Sequence, residues 1–65
     1  MGGQGEHRGC VMFVNCFDGY GLCLFSVPVR EGLEAERLAH HIYGEHDLVD
    51  DWLISDAPLG AVVRY

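Results

Sequence analysis

The groups able to do chemistry in this 65-residue chain are ten carboxylates, four histidines and three cysteines. Eight of the acids (Glu31, Glu34, Glu36, Glu45, Asp47, Asp50, Asp51 and Asp56) fall in the window 31–56, where Arg37 is the only base, so the window alone carries −7. There is no lysine, and the whole chain carries −6 with a pI near 4.8. Surface helices ordinarily interleave Lys with Glu, and here that compensation is missing. Duplex DNA places about one charge every 1.7 Å of its axis. Unneutralised carboxylates held along a ridge present a similar field to a protein built for phosphates. They would bind it by electrostatic steering and by charge-assisted hydrogen bonds to Arg or Lys. The same charge repels nucleic acid and anionic membranes. The eight acids are therefore the candidate partner-binding residues, set beside the plainer reading that an acidic surface aids solubility.

Other chemistries find less support. His40 and His41 are adjacent, so on a helix they diverge by about 100° and do not share an ion. His46 falls beyond the expected helix end. Cys10, Cys16 and Cys23 are spaced C-x5-C-x6-C, without the close pair that zinc sites use. On one strand, Cys10 and Cys16 would stand some 20 Å apart. All three thiols lie in apolar runs, where reactivity falls. Asp50-Asp51 would point different ways on a helix, and no Gly-rich phosphate loop precedes one. The expectation is a binding protein, not an enzyme, with no catalytic residue, no metal and no cofactor. Aromatic side chains dominate protein interfaces when exposed. Tyr20, beside Asp18 at the tip of a hairpin, is the candidate contact, while Trp52 is expected in the core.

These groups must be positioned by few elements. Residues 10–27 hold two apolar runs around Asp18-Gly19, the strongest short-range hairpin signal. A two-residue turn sets Phe17 opposite Tyr20. A longer loop over residues 18–21 would instead set Cys16 opposite Cys23, the only register that permits a disulfide. Pro28 ends the second strand. Within residues 29–44, Ala35, Leu38, Ala39 and Ile42 recur at helical spacing, and Gly44 is the expected left-handed residue after the helix.

In residues 45–56, Leu48, Val49, Trp52 and Leu53 share one side of a helical wheel, whereas a strand would put Asp51 and Leu53 on the same face. A second helix is expected there, then a turn at 57–60 and a third strand at 61–65. The fold expected is α+β, in the order β-β-α-α-β: a small antiparallel sheet with its helices on one face. Residues 1–9 form a Gly-rich tail and residues 10–65 one domain.

Both hairpin strands are apolar on both faces, and the helices can cover only one. The other is a second candidate interface, which sustains an alternative reading as a small oligomerising or adaptor module. Residues 1–9 lack the apolar core of a secretory signal, and no run approaches a membrane span. A reduced, cytoplasmic protein is expected, as a monomer or weak homodimer.

In these respects the chain resembles the small acidic inhibitors that phages encode, the anti-CRISPR proteins in particular. The resemblance is carried by its 65 residues, the acidic runs EGLEAE and GEHDLVDDWLISD, the missing lysine and the lack of a catalytic motif. It implies binding to a subunit of a CRISPR effector complex, over the basic surface that would otherwise hold DNA. By that resemblance the carboxylates of residues 31–56 would face Lys or Arg on the effector, in the bacterial host cytoplasm, without enzymatic activity or direct contact with nucleic acid.

Overall fold

The two apolar runs of the hairpin become β1 (Met12–Phe17) and β2 (Cys23–Val29), followed by α1 (Gly32–Glu45) and β3 (Asp51–Ser55). The computed structural model describes residues 11–30 and 32–65; the expected tail, Cys10 and Glu31 lie outside them. The three strands form an antiparallel sheet in the order β2-β1-β3. The expected α+β class is therefore the observed one, with a single helix.

Successive strand residues point to opposite faces, and β1 uses both. Val14 and Cys16 join Val27 of β2, Ala35, Ala39 and Ile42 of α1 and the loop residue Val49 in the core. The predicted helical stripe is the one buried, and Leu33, off the stripe, is exposed. Ala35, Ala39 and Ile42 are all buried on this side of the helix, Ile42 being the largest of the three.

Five local expectations are corrected. First, Pro28 lies within β2, paired with Phe13, and does not end the strand. Residues 51–55 are a strand, not part of a second helix, and pair with β1 from Phe13↔Ser55 to Phe17↔Asp51. Asp51 and Leu53 do share a face, but it is the face away from α1, so the alternation is satisfied. Next, Asp18-Gly19 is not a two-residue turn. Phe17 pairs with Cys23 and Cys16 with Phe25, with an irregularity between them. Neither expected register holds, and the thiols of Cys16 and Cys23 are free. Gly44 lies inside α1, and among the described residues only Gly21 has a positive φ, 85°. Finally, residues 61–65 contribute one isolated bridge, Ser26↔Val62, and it is parallel.

The route to that bridge explains how the second sheet face is covered. From the end of β3 the chain crosses this face as a strap, residues 56–60, before reaching the outer edge of β2. Two side chains hold it down: Asn15 and Ser26 are fully buried and polar, at the centre of a face expected to be open. The Asn15 amide nitrogen donates to the Leu53 carbonyl (3.1 Å) and the Ser55 hydroxyl (2.9 Å), with a longer approach to the Ala57 carbonyl (3.5 Å). Its amide oxygen accepts from the Ser26 hydroxyl and from the Leu59 N–H (2.9 Å). Ser26 Oγ in turn accepts from the Gly60 N–H at 3.0 Å. Among the described residues no buried side-chain nitrogen or oxygen lacks a partner, which is what makes burying this node tolerable. The strap passes close: a Cβ on Gly60 would fall 2.8 Å from Cys23 Sγ.

Candidate functional site

Asp18 is held at the tip by the loop it begins. Its Oδ1 accepts from the Tyr20 N–H (2.8 Å) and the Leu22 N–H (3.0 Å), while its own N–H donates to the Leu22 carbonyl (2.9 Å). Gly21 supplies the left-handed residue that lets the chain return. Tyr20 then stands almost free of the fold, 97% exposed, with Leu22 exposed beside it.

Two of the sequence-predicted acids arrive at the same end of the sheet. The Asp50 N–H donates to the Phe17 carbonyl (2.8 Å), and Asp51 is the strand partner of Phe17. Asp51 Oδ1 accepts from the Trp52 N–H at 2.8 Å, and Asp50 Oδ2 would lie 3.8 Å from a Cβ on Gly19. Phe17, Asp18, Gly19, Gly21, Asp50, Asp51 and Leu53 line an open groove of about 410 Å³. Three carboxylates surround it and no base does. Asp47 and Leu48, both exposed, belong to the loop that feeds β3 at this end.

The remaining predicted acids are not gathered there. Glu34 lines a separate groove between α1 and β2 with Arg37, Val29, Leu38 and His41. Glu36 is exposed on the helix, and Asp56 follows the opposite end of β3. Glu45 is engaged within the fold: its Oε1 accepts from the Tyr65 hydroxyl (3.0 Å) and lies 3.4 Å from His41 Nε2. That hydrogen bond to Glu45 raises the Tyr65 pKa. The Tyr65 ring also meets His41 and His46 at centroid distances of 5.9 and 6.2 Å. Trp52 packs against His40 and Tyr43 at 5.0 and 5.4 Å, half-buried beside the core and not, as expected, within it.

The described residues contain no group of three His, Cys, Asp or Glu side chains able to hold a metal ion. Burial, reinforced by the nearby Cys23, pushes the Cys16 thiol up to about 11, so it is a poor nucleophile near neutral pH. No helix in the described residues is long and apolar enough to cross a membrane. The tip thus offers concentrated negative charge, an exposed phenol and exposed leucines, which is the equipment of a binding surface. Sequence reasoning did not foresee that the hairpin loop and the start of β3 meet, because that required β3 to be a strand. Comparison with protein-family models, with curated proteins and with solved structures finds no match.

Proposed function

We propose that this chain is a small acidic binding inhibitor that docks on the basic, nucleic-acid-binding surface of another protein and blocks access of DNA to it. The supporting observation is the convergence of Asp18, Asp50 and Asp51 around one groove that no base lines. An incoming Arg or Lys would meet three carboxylates and no competing base in this groove, and would gain charge-assisted hydrogen bonds there. Tyr20 supplies amphipathic contact area of the kind that anchors interfaces. In the anti-CRISPR reading that the sequence resemblance implies, the target is a CRISPR effector subunit and the tip occupies the site of DNA phosphates.

The test is inhibition of DNA binding by purified CRISPR effector complexes, measured by mobility shift. Reversing Asp50 and Asp51 to Lys should cost at least 100-fold in inhibition and leave the far-UV circular dichroism unchanged, since both side chains are exposed. Asp18 is left intact because its carboxylate holds the loop. Full inhibition by the folded double variant overturns the proposal, as does failure of the wild-type chain to bind any basic nucleic-acid-binding protein offered.

A further inference from the structure

The two outer edges of the sheet are treated differently. At the β2 edge, the Ser26 N–H donates to the Ala61 carbonyl (2.8 Å) and its carbonyl accepts from the Val63 N–H (2.9 Å). The β3 edge has no such cover among the described residues: β3 pairs with β1 alone. The Trp52 N–H turns away from β1 and is taken by Asp51 Oδ1. By strand alternation the N–H and C=O of Ile54, and the C=O of Trp52, face the open side. An edge of this kind is a template for another strand.

The chemistry along the edge narrows what would fit. Asp50 and Asp51 stand at one end and Asp56 at the other, with Leu53, 51% exposed, at the centre. A second copy of the chain fits poorly when the two strands overlap fully. Antiparallel self-pairing centred on Leu53 sets Asp50 of each copy opposite Asp56 of the other, and like charges directly opposed are destabilising. A strand with Lys or Arg at both ends and apolar residues between them sets a base near the acids at each end, in either direction.

We infer that the outer edge of β3 is a docking edge for an extended segment of the partner protein, basic at both ends and apolar at its centre. This rests on the reading of the partner as a basic protein and adds the form in which it is met. Main-chain hydrogen bonds to Ile54 and Trp52 supply affinity, and the flanking carboxylates exclude uncharged or acidic strands.

The test uses a synthetic peptide with two lysines at each end and alternating valine and threonine between, and a control with glutamate for lysine. On saturation with the basic peptide, the Ile54 amide should exchange with solvent at least tenfold more slowly by NMR. Asp51→Asn with Asp56→Asn should weaken the peptide about tenfold while preserving the cap on Trp52. Unchanged Ile54 exchange at saturation, equal binding of the acidic control, or self-association through β3 in light scattering overturns the inference. Its failure is distinguishable from that of the proposed function. A partner complex lost on reversal of Asp50 and Asp51 but leaving Ile54 unprotected overturns only the edge. Ile54 protection by the basic peptide with no basic nucleic-acid-binding protein bound overturns only the inhibitor reading.

Discussion

Asn15 is the side chain on which most of the second sheet face depends. It is fully buried, and its amide meets groups 11, 38 and 44 positions away in the chain. Replacing it with Ala removes the partner of the Ser26 hydroxyl and one acceptor of the Leu59 N–H. Orphaned buried polar groups cost about 1–3 kcal/mol each. Asn15→Ala should therefore destabilise the fold by about 2–4 kcal/mol in urea titration, and adding Ser26→Ala should cost much less than the sum of the two single changes. Additive losses would show that the two residues act separately. The sequence placed Asn15 on the face of Phe13 and Phe17, as observed, but could not disclose its role. Every strap partner lies beyond the range of local patterning.

At the scale of elements, what was legible follows the length and regularity of each signal. The stripe Ala35, Leu38, Ala39 and Ile42 spans two helical turns and specified α1 and its buried side. Residues 48–53 misled because Leu48, Val49, Trp52 and Leu53 satisfy a helical period, yet Leu48 and Leu53 are exposed and only Val49 is fully buried. The deciding fact was tertiary: β1 had a free edge and α1 already covered the core. For the same reason half of the candidate site was visible only as Asp18 and Tyr20, with the arrival of Asp50 and Asp51 beside them hidden. The Asp-Gly signal likewise located the reversal but not its form. Asp18 spends its carboxylate on the Tyr20 and Leu22 amides, and the positive φ moves to Gly21. A Cβ at Gly21 meets nothing within 4 Å, so Gly21→Ala pays only for backbone conformation, about 1 kcal/mol. Gly19, without a positive φ, should tolerate Ala with a smaller loss. Equal losses at the two positions in chemical denaturation would contradict this description of the loop.

Among the described residues, the grooves at the two ends of the sheet differ in charge. The tip gathers Asp18, Asp50 and Asp51, while Arg30 and Arg64 line a groove with Val11, Pro28 and Val29 at the far end of β2, and Arg37 lines the neighbouring groove. The sequence exposed the magnitude of the negative charge but not the separation of Asp18, Asp50 and Asp51 from Arg30 and Arg64, which needs the antiparallel sheet to send Phe17 and Val29 to opposite ends. In the proposed reading a basic partner would be drawn towards the groove that Asp18, Asp50 and Asp51 line, because steering acts over about a Debye length.

The Asn15–Ser26 node also governs how such a small chain reaches its final form. A hairpin alone, or a hairpin with α1, would leave the Asn15 amide either hydrated on a half-built sheet or dry and unpartnered. Slipping β1 by one position would turn that amide into the apolar core beneath α1. Partial structures are penalised until residues 53–60 arrive, so folding should be all-or-none rather than stepwise. Trp52, the only tryptophan, sits on β3, the strand that leads into the strap. Its fluorescence and the far-UV circular dichroism should lose the native signal at the same urea concentration, and two separated midpoints would reveal a stable intermediate without the strap.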